Sequence, residues 1–246
     1  MFPLRDENPS LLSPVGTYLI IALNLLSWLL VQGLGSEPTL TKSVCEYGLI
    51  PGELLGRLPV GEQVPLGNQL SCVLGYGPSW LTPLSSMFMH GSWVHIIGNM
   101  WFLWVFGNNV EDAMGHVRYV LFYLSCGLAA AFTQTLVNPS SAIPMVGASG
   151  AIGGVMGAYA VLYPTARIET LIVLGLYVRT MPVPAYFMLG YWFLLQVLGG
   201  LPTLGGDAGV AFWAHIGGFA AGAALVLVFR DRELLARHRQ AAAALE

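Results

Sequence analysis

The feature that most constrains this chain is where its charges are missing. No Asp, Glu, Lys or Arg occurs from Asn8 to Ser36, from Gln63 to Val110, from Tyr119 to Ala166, from Thr180 to Gly206 or from Ala208 to Phe229. A helix that crosses a bilayer needs about 20 predominantly apolar residues, and these windows hold roughly six such spans. Over the whole chain 9% of residues are charged and 55% hydrophobic, against roughly 25% charged in an ordinary soluble domain. A soluble fold covers its surface with charge, and this chain has too little. The expectation is an all-α polytopic membrane protein with six transmembrane helices.

The windows place the spans at about 17–34, 93–110, 119–136, 149–164, 185–198 and 210–229. The first is longer than the apolar stretch of a secretory signal and has no A-x-A cleavage site after it, so it reads as a retained span. Between the first two lies a long outer loop, about 35–80, with Pro38, Pro51, Pro59, Pro65 and Pro78. It also holds Leu49, Ile50, Leu54, Leu55 and Leu58, which fits a partly helical segment resting on the membrane better than a solvated linker. Residues 169–180, followed by Pro182 and Pro184, read as a further interfacial segment. The chain divides into a cytoplasmic segment 1–16, a membrane domain 17–230 and a cytoplasmic tail 231–246, whose last residues, Ala242 to Glu246, look like a cloning scar.

Six spans put both termini on one side, and the positive-inside rule chooses it. With the N-terminus inside, Arg5, Arg118, Arg167, Arg179, Arg230, Arg232, Arg237 and Arg239 are cytoplasmic, and only Lys42 and Arg57 lie outside. The topology is therefore N-in, C-in. The starts of spans two, four and six then share the outer membrane face.

The net charge of -3 comes without a basic patch, so the lipid bilayer, and no nucleic acid, is the expected partner. The three cysteines, Cys45, Cys72 and Cys126, have no metal-binding spacing, and no metal or cofactor is expected. Cys45 and Cys72 share the outer loop, where a disulfide and two free buried thiols both fit the sequence. The Asn-x-Ser sites at Asn8 and Asn138 are blocked by proline, which fits a bacterial inner membrane.

Polar residues inside spans are costly and mark function. Here they are Asn24, His90, His95, Asn99, Asn108, Asn109, Ser149, Gln196 and His215. Ser149 sits in Gly147-Ala148-Ser149-Gly150 at the start of an apolar helix, where the helix dipole favours a developing anion. Serine needs a base, and His215 is the only histidine in the last two spans. Gly218 and Gly222 lie four apart and let the sixth span press against another helix, plausibly the fourth with its Gly150, Gly153, Gly154 and Gly157. Small residues in both helices would serve close packing even without chemistry. His95 and Asn99 are also four apart, so they aim two donors one way. With the Ser149 N–H they would form an oxyanion hole. His90, one turn earlier, reads as a structural hydrogen-bonding group. No acidic residue falls within a span, which points to a Ser–His dyad rather than a triad. There is no HExxH and no intramembrane aspartate pair.

Together these residues resemble the rhomboid family of intramembrane serine proteases, over roughly residues 80–230. The resemblance rests on His95-x-x-x-Asn99, Gly147-x-Ser149-Gly150 and Ala214-His215-x-x-Gly218-x-x-x-Gly222, with Trp104-Val105-Phe106-Gly107 and Asn109-Val110-Glu111 in support. It implies a Ser149–His215 dyad, an oxyanion site at His95 and Asn99, and a water-filled cavity open to the outer face. It further implies cleavage of single-span transmembrane proteins near their outer end, after a small side chain. Residues 185–199 and 200–210, with Gly205, Gly206 and Gly209, would form a substrate gate. The alternative is a catalytically silent relative that binds membrane proteins. Two positions depart from the family pattern. Leu81 follows Trp80 where many members have arginine, and Gly153 replaces an aromatic residue that in some members stacks on the histidine. His215 then needs another support, with Tyr159 or backbone groups as candidates.

Overall fold

The computed structural model describes residues 1–66, 71–75, 79–175, 177–204 and 210–243. In chain order the elements are β1 (Phe2–Asp6), α1 (Val15–Leu30), α2 (Thr39–Tyr47), α3 (Pro51–Leu54), β2 (Gln63–Pro65), β3 (Ser71–Val73), α4 (Thr82–Ser85) and α5 (Trp93–Asp112). There follow α6 (His116–Val137), α7 (Ser149–Leu162), β4 (Arg167–Leu174), β5 (Tyr177–Pro184), α8 (Ala185–Gly200), α9 (Phe212–Phe229) and α10 (Arg232–Ala243). The fold is mostly helical. Helices at His116–Val137, Ala185–Thr203 and Phe212–Phe229 are long and apolar enough to cross a membrane, and α1 and α7 are shorter apolar helices. The 20-residue α5 is more polar, since it carries His95, Asn99, Asn108, Asn109, Glu111 and Asp112. The gate glycines Gly205, Gly206 and Gly209 and the loop proline Pro78 lie outside the described residues.

Several polar groups are fully buried, and large apolar side chains face outward as well as into the core. Asn24, Gln32, His90, Asn109 and Glu111 are fully buried, while Leu23, Leu26 and Leu30 on α1, Leu128 and Phe132 on α6, and Tyr186, Phe187 and Leu198 on α8 are exposed. A belt of exposed aliphatic and aromatic side chains suits hydrocarbon as the surrounding solvent.

The all-α expectation is corrected by two sheets. Residues 167–184 form a hairpin, with Arg167 opposite Pro184 and Leu174 opposite Tyr177, and β1 adds to its β4 edge. The segment alternates: Ile168 and Thr170 are buried and Arg167 is exposed. β-branched residues such as Ile168, Thr170, Ile172, Val173, Val178, Thr180 and Val183 suit a pleated, half-buried surface, so the expected interfacial segment is built as a hairpin. A second hairpin, β2–β3, lies in the long loop between α1 and α5, beside α2. That loop is closed by a Cys45–Cys72 disulfide, with Cα atoms 5.3 Å apart, and Cys126 is free and buried.

This loop also docks onto the segment leading into α7. Leu49 and Met145 exchange both backbone hydrogen bonds, and Gly52 N–H donates to the Ser141 carbonyl. Gly147 N–H donates to the Ser86 carbonyl. The chain thus enters α7 from a braced position.

Helices α6, α7 and α9 make the core. A Cβ on Gly218 would overlap the Gly150 carbonyl, and one on Gly222 would overlap the Gly154 carbonyl. Backbone meets backbone along this seam, as small residues permit where apolar burial drives little association. The structure adds what the charge windows hid. Glu111, the penultimate residue of α5 and one position past the expected span 93–110, is fully buried. Its carboxylate accepts from Gly16 N–H, Thr17 N–H and the Thr17 hydroxyl at 2.7–2.8 Å. It thereby satisfies the free N–H groups at the start of α1, where a negative charge also complements the dipole.

Candidate active site

Ser149 is the first residue of α7, so its own N–H has no partner within the helix. Its hydroxyl lies 2.8 Å from His215 Nε2 on α9. The glycine seam sets this distance, because Gly150 follows Ser149 directly and Gly218 lies one turn after His215, and neither puts a side chain between the helices. At the start of α9, Ala214 N–H donates to Gln134 Oε1 of α6 at 3.2 Å, which holds the turn that carries His215.

On the other side of Ser149 stands α5. Ser92 caps it by accepting the His95 N–H at 3.2 Å. His95 Nδ1 accepts from the Gly91 N–H at 3.3 Å, so the ring proton falls on Nε2. Gly147 has φ +129°, and a Cβ there would lie 2.7 Å from His95 Nε2 and 3.4 Å from the Ser149 hydroxyl. The missing side chain of Gly147 is the space between these two groups. One turn on, Asn99 is 8% exposed, and its Nδ2 donates to none of the described residues. A cavity of about 480 Å³ is lined by His95, Gly98, Asn99, Ser149, Trp192 and His215 among others. His95, Asn99, Ser149 and His215 therefore share one cavity.

Other expected site residues serve as frame. Gly150 packs against Ala130, and Gly218 and Gly222 pack against α7. His90 makes its hydrogen bonds through its backbone: its N–H donates to Gln32 Oε1 at 2.8 Å, and its carbonyl accepts from Gln32 Nε2 at 2.7 Å. Its ring lies edge-on to His95, with centroids 5.1 Å apart.

The support of His215 corrects the sequence reading. Tyr159 does not reach it: the Tyr159 hydroxyl donates to Asp6 Oδ2 at 2.8 Å, at the other end of α7. Gly153 faces the His215 carbonyl and offers no ring. Two side chains of α8 stand beside the imidazole instead. His215 Nδ1 lies 2.8 Å from Gln196 Oε1, and the Trp192 ring is tilted toward it with centroids 5.9 Å apart. Gln196 is the one polar amide in α8, and Trp192 lies one turn before it. Their spacing was visible in the sequence, but the facing of α8 toward α9 was not.

The Rhomboid domain model matches residues 78–232, well over half of the chain. The chain belongs to the rhomboid family. The Rhomboid protease GluP of Bacillus subtilis is 28% identical over 214 residues, which cover 87% of this chain and 35% of that protein. Rhomboid-like protein 11, chloroplastic, of Arabidopsis thaliana is 39% identical over 77 residues, 31% of this chain and 27% of its own length. The mitochondrial Presenilin-associated rhomboid-like protein of Mus musculus is 33% identical over 87 residues, 35% of this chain and 23% of its own. The chain thus spans about a third or less of these relatives. Rhomboid proteins are integral membrane proteins, and the family includes serine proteases.

Proposed function

We propose that this protein is an intramembrane serine endopeptidase that cuts single-span transmembrane proteins near the outer membrane face. The observation that carries the reading is the 2.8 Å contact between the Ser149 hydroxyl and His215 Nε2, in a cavity shared with His95 and Asn99. Ser149 attacks the peptide carbonyl as His215 Nε2 takes its proton, and His215 returns that proton to the leaving amine. Water then hydrolyses the acyl-enzyme, with His215 again as base. The carbonyl oxygen, now negative, is met by the Ser149 N–H, His95 Nε2–H and Asn99 Nδ2–H. A small recess beside Ser149, walled by Gly127, Ala130, Ala131, Gly150 and Ala214, suits a small side chain before the cut.

In this reading α1, α5, α6, α7, α8 and α9 are the six spans, with both termini cytoplasmic. α7 has 14 residues, about 21 Å at the helical rise, against roughly 30 Å of hydrocarbon. A helix this short, anchored at the cytoplasmic side, starts within the membrane, and Ser149 is at that start. The relative matched over most of the chain is bacterial, which supports a bacterial inner membrane as location. A binder without chemistry would have no use for the Ser149–His215 contact.

The test is cleavage of a single-span substrate in liposomes, together with labelling by a fluorophosphonate. Wild type is expected to cleave and to be labelled, and Ser149→Ala and His215→Ala to do neither. Cleavage by Ser149→Ala at the wild-type rate would end this reading.

A further inference from the structure

For His215 to accept the serine proton, Nε2 must present a lone pair and Nδ1 must carry the ring proton. In a dyad without a carboxylate, something else has to enforce that tautomer. One group stands in the right place. Gln196 is 9% exposed, and its Oε1 lies 2.8 Å from His215 Nδ1. Which end of an amide faces a partner follows from its other hydrogen bonds. Here Gln196 Nε2 donates to the Trp192 carbonyl at 3.2 Å, one turn back on α8. That bond commits the amide nitrogen to the helix backbone and leaves Oε1, an acceptor only, toward the imidazole. An acceptor at Nδ1 requires Nδ1–H, and Nδ1–H places the lone pair on Nε2, 2.8 Å from the Ser149 hydroxyl.

We propose that Gln196 is a positioning residue that fixes the His215 tautomer and aims Nε2 at Ser149; this rests on the serine protease reading above. As the bond from Ser149 Oγ to the substrate carbonyl carbon forms, the hydroxyl proton passes to Nε2 and the carbonyl electron pair moves to its oxygen. The ring then carries protons on both nitrogens and a positive charge. The Nδ1–H bond to Gln196 becomes charge-assisted at that moment, so it is stronger in the transition state than in the resting site. When the amine leaves with the Nε2 proton, the ring returns to the tautomer that Gln196 holds. A neutral amide does this where a buried carboxylate would carry a large desolvation cost at membrane depth. Trp192 walls the same side of the ring, so one turn of α8, a helix carrying neither nucleophile nor base, sets the base.

The experiment combines kinetics with ¹⁵N NMR of histidine-labelled protein in detergent. His215 is assigned by the signal that His215→Ala removes from the five histidines. Wild type is expected to show the His215 proton on Nδ1. Gln196→Met, of similar shape but with no acceptor oxygen, is expected to shift that signal toward the other tautomer. Its kcat should fall about ten- to a hundred-fold with KM unchanged. A wild-type His215 protonated on Nε2 overturns the proposal, and this needs no variant to fold. So does a Gln196→Met kcat within about twofold of wild type, or a loss confined to KM. Ser149→Ala separates the two ideas. If it is inactive while Gln196→Met is unimpaired, only the role of Gln196 falls; if it cleaves as well as wild type, the protease reading falls.

Discussion

The Tyr159 hydroxyl, near the C-terminal end of α7, donates to Asp6 Oδ2 in β1 at 2.8 Å. One end of α7 carries Ser149, and the other is tied to the first strand of the chain. Around that tie the N-terminal segment is held from several sides. Trp101 Nε1–H donates to the Pro3 carbonyl, Glu7 N–H to the Arg167 carbonyl, and Asn109 Nδ2–H to the Pro9 carbonyl. Leu11 and Leu12 N–H groups both donate to Asp112.

A pH effect on stability follows. Loss of hydration pushes the Asp6 carboxyl from 3.8 up to about 7, and the Tyr159 hydrogen bond offsets only part of this. The folded chain keeps a proton that the unfolded chain releases above about pH 4, so the folded state loses ground as pH rises from about 4 to about 7. Above that window the loss levels off. Asp6→Asn keeps an oxygen for the Tyr159 hydroxyl and carries no charge. Thermal unfolding in detergent from acid to neutral pH is expected to show a falling Tm for wild type, and the part of that fall due to Asp6 missing in Asp6→Asn. Parallel curves for the two proteins would refute it.

Glu111 is expected to matter more for folding than its place at a helix end suggests. Glu111→Ala would leave the Gly16 and Thr17 N–H groups and the Thr17 hydroxyl without their acceptor in a buried site. The cost should reach about 2–4 kcal/mol, read as a lower Tm in detergent. Glu111→Gln keeps one acceptor oxygen and should fall in between. A Tm unchanged in Glu111→Ala would show that water or lipid headgroups replace the carboxylate freely.

The long helices and the grouping of the site residues were legible because they depend on local pattern. Charge-free windows mark helices, and a spacing of four puts His95 and Asn99 on one face whatever lies around them. Gly150, Gly153, Gly154 and Gly157, with Gly218 and Gly222, pointed to a contact between α7 and α9. What was not legible depends on facing and on non-local pairing. Gln196 and His215 are on different helices, and no periodicity says which face of α8 meets α9. The β1–β4 pairing joins residues far apart in the chain, and the alternation of 167–184 was hidden by its apolar composition. Glu111 lies just past a charge-free window, yet the helix runs on through it to Asp112.

The loop between α1 and α5 offers a prediction that needs no activity. With Cys45 and Cys72 joined and Cys126 free, denatured protein without reductant should titrate as one thiol, and as three after reduction. The bridge closes a loop with a sequence separation of 27, worth about 3–4 kcal/mol by chain entropy. Because this loop braces the entry to α7 through Leu49, Met145, Gly52 and Ser141, Cys45→Ser with Cys72→Ser should lower Tm. Three thiols before reduction would disprove the bridge.

Two glycine substitutions should separate chemistry from packing. Gly147→Ala places a Cβ 2.7 Å from His95 Nε2, in the space that the substrate oxygen would use, at a φ of +129° that side chains rarely adopt. Blocking those donors should cost about 10²-fold or more in kcat, with only the local backbone strain, about 1–3 kcal/mol, to unsettle the fold. Gly218→Ala instead drives a Cβ into the Gly150 carbonyl and forces α9 away from α7. Overpacking of this kind costs about 1–3 kcal/mol, and it also lengthens the Ser149–His215 contact. Fluorophosphonate labelling reports on the activated serine, and Tm tells the two apart. Gly218→Ala should lose labelling in proportion to cleavage, because the nucleophile has lost its base. Gly147→Ala should do so too if the oxyanion donors also serve the phosphonyl oxygen, but its Tm should stay closer to wild type. Full activity in Gly147→Ala would mean that the carbonyl oxygen does not enter between His95 and Ser149, and the oxyanion assignment would have to move elsewhere.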